Sequence, residues 1–180
     1  TKVGERFDTE RTYLELAIPN QEIRYIYQEM ILSWFNGKVK AMDRSALYQA
    51  LIAGDCATVE TELKRELTKS ISFYDAAEQF YHGFLAGMFG GLGEYRLLSN
   101  RESGDGRADI MMLPEDEQSP VLIFELKRAD KFTQMDEGCD AALAQIEEKR
   151  YDAECREEGY GKFIKYGICF CKKSCRVKVG

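Results

Sequence analysis

Residues 121–124, Val-Leu-Ile-Phe, form an unbroken apolar run that stops at Glu125-Leu126-Lys127. A strand with one wet face alternates apolar and polar side chains, so a short run that is apolar throughout predicts a strand covered on both faces. A chain built around such a strand needs a sheet with layers on either side. Just before the run, Pro114 and Pro120 bracket the polar loop Glu115-Asp116-Glu117-Gln118-Ser119, and residues 108–113 beyond that loop are again strand-like. A hairpin symmetric about Glu117 sets Asp109 opposite Glu125, with Cβ atoms roughly 5 Å apart. The strand period of two puts Lys127 on the face of Glu125 and turns Leu122, Phe124 and Leu126 into a core.

Residues 73–92 carry an apolar helical stripe of Ala77, Phe80, Tyr81, Phe84, Leu85, Met88 and Leu92, loosened at Gly90-Gly91. Strand-like runs follow at 95–99, 108–113 and 121–126. A long helix is expected over 135–157, with Ala142, Leu143 and Ile146 inward, and strands over 163–171 and 175–179. The core order is thus α-β-β-β-α-β-β. Three strands and then a crossover helix imply an α/β fold, a mixed β-sheet flanked by helices. Ahead of it lies a mostly helical N-terminal segment. It has a strand at 12–18 stopped by Pro19, and a helix capped by Asn20 that carries Ile23, Ile26, Tyr27, Met30, Ile31 and Trp34 to Asn36-Gly37. Helices over 43–53 and from 57 complete it. The expected division is residues 1–70 and residues 71–180, with no catalytic constellation in the first part.

The 180 residues carry a formal net charge of −6, which argues against a sequence-independent nucleic-acid coat but not against an enzyme that gathers acidic residues around a metal. Lys172, Lys173, Arg176 and Lys178 form a local basic cluster, either a contact patch or a solvated strand end. No apolar run approaches the roughly 20 residues of a membrane span, and no leader pattern opens the chain. Thr1 in place of an initiator Met predicts a piece of a longer protein. Among six cysteines, Cys169 and Cys171 share one face of a strand, which suits reduced structural thiols in a reducing, cytoplasmic compartment. One histidine, His82, excludes a multi-His zinc site and a Ser-His-Asp hydrolase. With Glu78 it makes an i, i+4 pair, read from the residues alone as a helix-surface pair.

Two carboxylates face to face are unfavourable unless a cation lies between them. Mg2+ prefers carboxylate oxygen and keeps several waters, one of which can serve as a nucleophile toward phosphate. Lys127 then orients that water or holds a phosphoryl oxygen. The plainer reading is a Glu–Lys pair at a strand end with Asp109 in solvent, because Asp-x(15)-Glu-x-Lys is a permissive pattern.

The stretch Asp109…Glu125-Leu126-Lys127 on a hairpin after an α-β start resembles the PD-(D/E)XK nuclease superfamily. Phe80-Tyr81-His82-Gly83-Phe84-Leu85, residues 99–107 (Ser-Asn-Arg-Glu-Ser-Gly-Asp-Gly-Arg) and Ala142-Leu143-Ala144-Gln145-Ile146 resemble a bacterial subfamily within it. In that subfamily the nuclease-like domain follows an AAA-ATPase-like domain. Ile18-Pro19-Asn20 with Glu22 is similar to the region that connects the two, although no G-x-x-x-x-G-K-[ST] phosphate loop is present in this sequence.

The resemblance implies a restriction-endonuclease-like fold and a Mg2+- or Mn2+-dependent nuclease acting on DNA. In that reading Asp109, Glu125, the Leu126 carbonyl and Glu78 hold the metal. Lys127 is the catalytic lysine and Gln145 supports the site. Arg101, Arg107, Lys149 and Tyr151 are the candidate substrate contacts, Arg101 and Arg107 being equally readable as partners for nearby acids. Implied partners are DNA or RNA, the upstream ATPase-like domain, and a second copy of the chain if both strands of a duplex are cut. Ala108 replaces the proline of the superfamily's name. Asp105 stands where an aromatic is expected, an added carboxylate that would weaken phosphate affinity. The rival reading is a catalytically silent module of the same fold, used for binding or assembly.

Overall fold

The computed structural model describes residues 2–8, 11–16, 43–70, 78–103 and 105–180, and the chain forms two compact units, Thr1–Met42 and Asp43–Gly180. In the first unit, β1 (Lys2–Asp8) and β2 (Arg11–Leu16) pair antiparallel, with Phe7 opposite Thr12. The sequence indicated only the second of these strands. The helix expected to begin at Asn20 lies outside the described residues.

The second unit opens with α1 (Ser45–Ala53) and α2 (Cys56–Ser70). Gly54, at φ 71°, closes α1 by returning its amide to the Ala50 carbonyl, a left-handed turn that suits glycine. Asp55 then caps α2, accepting from the Thr58 amide at 3.2 Å and from its hydroxyl at 2.6 Å. Next come α3 (Glu78–Phe89), β3 (Tyr95–Ser103), β4 (Gly106–Pro114), β5 (Val121–Arg128), α4 (Met135–Glu148), α5 (Ala153–Glu157), β6 (Phe163–Cys171) and β7 (Ser174–Val179). The strands form one sheet in chain order from β3 to β7. Only the β5–β6 pair is parallel; the other neighbours are antiparallel. The parallel pair requires a crossover, which α4 and α5 supply. The architecture is the expected mixed sheet flanked by helices.

Residues 121–126 are buried throughout, as the apolar run requires. On one face Phe124 lies between Phe89, tilted with ring centroids 4.7 Å apart, and Tyr166, stacked at 5.0 Å, and the Tyr166 hydroxyl donates to the Leu51 carbonyl of α1. On the other face Val121 and Ile123 pack with Met111, Leu113, Ile146 and Tyr151. At the sheet edge, Glu60 of α2 accepts the Val177 amide at 3.0 Å, occupying a donor that would otherwise invite another strand.

Helix α4 lies very close to β6. A Cβ on Gly138 would strike the Cys169 sulfur, and one on Gly167 would strike the Cys139 carbonyl. Small residues at the crossing therefore set how near α4 comes to the strand beside β5. Cys139, Cys169 and Cys171 share a buried cluster with Met135, and all six cysteines are free thiols.

The single helix expected over 135–157 is broken. It stops at Glu148, Arg150 takes φ 50°, and a short helix resumes at Ala153. In a continuous helix Tyr151 would point about 140° away from the core residue Ile146. The break instead buries Tyr151, which is why tertiary packing overrides the local helical pattern. Among the described residues no helix is long and apolar enough to cross a membrane.

Candidate active site

The β4–β5 ladder pairs Ile110 with Phe124, Met111 with Ile123 and Met112 with Leu122. This is the register of a hairpin symmetric about Glu117, and its next step brings Asp109 to Glu125. There the main-chain ladder gives way to a side chain: Asp109 Oδ2 accepts the Leu126 amide at 2.9 Å. That bond fixes one carboxylate oxygen of Asp109 against the strand that carries Glu125 and Lys127.

Glu125 is only 3% exposed. Its Oε1 accepts from the Lys127 ammonium at 2.9 Å, while Oε2 is buried with no hydrogen-bond partner. Burial drives the Glu125 carboxyl up to about 7; the hydrogen bond from Lys127 opposes this, and the negative charge of Asp109 adds to it. An orphaned acidic oxygen in a dry place is costly in a finished core and so marks a place built for something else.

Lys127 also donates to Gln145 Oε1 at 2.6 Å. Gln145 Nε2 in turn donates to the Tyr151 hydroxyl at 3.0 Å. Helix α4 therefore reaches over β5 and holds the ammonium between a carboxylate and an amide oxygen, which leaves one of its three donors for a reacting group.

His82 is placed where the helix-surface reading does not put it. Its Nε2 lies 2.9 Å from the Asp109 carbonyl and 3.2 Å from Ser99 Oγ. Since a carbonyl only accepts, Nε2 carries the proton. The imidazole thus grips the main chain of Asp109 from α3. No residue type around His82 signals that contact, because the partner is a main-chain carbonyl.

The remaining expected residues stand on several elements. Glu78 begins α3, and Arg101 sits in β3 opposite Ala108; the side chains of both lie outside the described residues. Arg107 is exposed in β4, opposite Glu102. Lys149 follows the last residue of α4, its ammonium 3.4 Å from Glu148. Tyr151 is 1% exposed, so it stands behind Gln145 rather than on the surface. Asp105 is not an unmatched charge: its carboxylate meets Arg150 at 3.2 Å. Within the basic cluster, Lys178 pairs with Asp140 at 2.6 Å and Arg176 reaches Glu60 at 3.5 Å, as at a solvated strand end.

No three His, Cys, Asp or Glu side chains converge on a metal position among the described residues. Two carboxylates with an adjacent main-chain carbonyl are nonetheless a fitting donor set for a hard divalent ion that retains most of its waters. The unpartnered Glu125 Oε2 is the structural sign of that fit. No curated protein matches the chain. A family model, that of the PD-(D/E)XK nuclease superfamily, matches residues 76–179, a span that contains every residue of this cluster.

Proposed function

The chain belongs to the PD-(D/E)XK nuclease superfamily, and from that premise we propose that it is a metal-dependent nuclease that hydrolyses phosphodiester bonds of DNA. The observation that carries this reading is the buried, partnerless oxygen of Glu125 beside Asp109 and Lys127. Asp109, Glu125, the Leu126 carbonyl and Glu78 would hold Mg2+ or Mn2+. The chemistry such an ion supplies when bound is acidification of a water and neutralisation of phosphate charge.

The chain's own groups do the rest. The Leu126 amide and His82 fix the side chain and main chain of Asp109, so the donor oxygens need little reorganisation. A bound cation would favour the carboxylate form of Glu125 by giving its buried Oε2 the partner it otherwise lacks. The Lys127 ammonium, with two donors held by Glu125 and Gln145, aims the third at the attacking water or at a phosphoryl oxygen. Arg107 and Lys149 supply positive charge toward the nucleic-acid backbone.

We further propose that the segment ahead of Asp43 connects to an upstream AAA-ATPase-like domain, as the resemblance of Ile18-Pro19-Asn20 implies, and that the protein acts in the cytoplasm. Cutting both strands of a duplex would favour two copies in a homodimer. The experiment is nicking of supercoiled plasmid DNA with Mg2+ or Mn2+. Lys127→Ala and Asp109→Ala should each reduce cleavage by about 100-fold or more. Cleavage that survives both substitutions removes the mechanism.

A second reading, a catalytically silent module for binding or assembly, is favoured by the net charge of −6. Calorimetry separates the two: no uptake of Mn2+ at millimolar concentration supports the silent module. Parallel assays on an RNA of matched sequence decide between nucleic acids.

A further inference from the structure

Gln145 and Tyr151 are six residues apart, and on an unbroken helix they would lie about 120° apart. The break after Glu148 brings them together. Arg150 adopts φ 50°, the Tyr151 amide returns to the Ile146 carbonyl at 3.3 Å, and the ring enters the core. The start of β4, the strand that carries Asp109, holds this break in place. The Asp105 amide donates to the Lys149 carbonyl at 2.9 Å. At Gly106 an added Cβ would sit 3.0 Å from Tyr151 Cε1 and 3.3 Å from Lys149 Cγ, so only glycine lets the strand approach this closely without displacing the ring.

Polarity then fixes the order of the bonds. An ammonium only donates, so Lys127 requires the oxygen of the Gln145 amide. That turns Nε2 toward Tyr151, where the hydroxyl must accept. With the amide reversed, donors would face donors at Lys127. The ammonium thus sets which way the amide faces, and the hydroxyl anchors its far end, two bonds removed from the ammonium.

We propose that Tyr151 is a positioning residue: by accepting from Gln145 Nε2 it holds the amide oxygen on Lys127 and so fixes where the ammonium points. The consequence for turnover rests on the nuclease reading, whereas the consequence for Lys127 does not. It also gives the helix break a purpose beyond burial of an aromatic ring.

The test is NMR of lysine ammonium and glutamine amide groups in the full chain, combined with steady-state cleavage. The wild type should give a slowly exchanging Lys127 ammonium cross-peak, assigned by its absence in Lys127→Met. In Tyr151→Phe that cross-peak is lost. There kcat falls about tenfold with KM within about twofold, the scale of supporting-shell substitutions. Tyr160→Phe, which removes a hydroxyl donating to the Pro114 carbonyl beside the same apolar cluster, leaves the cross-peak unchanged. Gly106→Ala crowds the ring but keeps the hydroxyl, and shifts the cross-peak. A wild type with no protected Lys127 cross-peak overturns the proposal, as does one unmoved in both Tyr151→Phe and Gly106→Ala. If the wild type cuts no nucleic acid, the nuclease reading fails while the cross-peak still decides the role of Tyr151.

Discussion

Glu125 concentrates the electrostatics of the site in one side chain. Its carboxyl titrates near 4.5 in an unfolded chain and near about 7 in the fold, with burial the main cause. Between those values the folded protein keeps a proton that the unfolded chain has released. Without metal, the contribution of Glu125 to stability therefore falls as pH rises through this window and stays lower above it. The shift corresponds to a loss on the order of 3 kcal/mol. Melting temperatures of the wild type and Glu125→Gln in a chelator at pH 4 and pH 8 check this by their difference, because Glu60, Glu66 and Asp152, whose carboxyls are held below the usual range, push the total in the opposite direction. Glu125→Gln should melt above the wild type at pH 8, match it at pH 4, and show no stabilisation by added Mn2+. A Glu125→Gln variant whose advantage over the wild type does not grow between pH 4 and pH 8 would remove the buried-acid account. His82 offers a second check at this scale. Its removal frees the Asp109 main chain without touching a carboxylate, so His82→Ala should weaken Mn2+ binding by about 10-fold in calorimetry. The two residues differ in legibility. Glu125 could be found because a charge ending an apolar run is written in residue types. His82 acts on a backbone carbonyl 27 positions away, and a main-chain partner leaves no mark in the sequence.

Helix α4 shows the same contrast at the level of elements. Its existence and inward face follow from the spacing of Ala142 and Ile146, and both are buried as that spacing requires. Its end does not follow, because Lys149, Arg150, Tyr151 and Asp152 are all acceptable in a helix, and the break is decided by the burial of Tyr151 and the approach of Gly106. Strands β4 and β5 were legible because prolines bracket the loop and the apolar run fixes the register. Gly138 is a case where local and tertiary preferences oppose each other. Alanine in a helix interior is worth about 1 kcal/mol over glycine. A Cβ here, however, collides with the sulfur of Cys169, which pairs in register with Lys127 across β5 and β6. Overpacking of this kind costs about 1–3 kcal/mol, so the collision outweighs the propensity. Gly138→Ala should lower the melting temperature, and adding Cys169→Ala should restore part of the loss. A stabilised Gly138→Ala would mean that α4 sits farther from β6 than this packing allows.

Residues 43–180 carry a core of their own, and helices α1 and α2 belong to it. Composition alone drew the line at residue 70, because 43–70 hold no chemistry and the apolar stripe of α3 follows them. What that view misses is burial. Leu47, Leu51, Val59, Leu63 and Leu67 are at most 1% exposed, Leu51 receives the Tyr166 hydroxyl, and Glu60 closes the β7 edge. Burying a leucine or valine side chain contributes about 1.5–3 kcal/mol, so five of them represent on the order of 10 kcal/mol. That is comparable to the whole net stability of an ordinary domain, about 5–15 kcal/mol. Truncation therefore gives a sharp expectation. A chain of residues 43–180 should fold cooperatively, melt within a few degrees of the full chain and keep its Mn2+ response. A chain of residues 71–180 should be unfolded or insoluble, since it would expose the Tyr166 face of the sheet and leave the β7 edge open to pairing with other molecules. Circular dichroism and thermal melts of the two truncations distinguish these outcomes. If the 71–180 chain melts like the full protein, the nuclease fold ends where α3 begins, and α1 with α2 belong to the connection rather than to the domain.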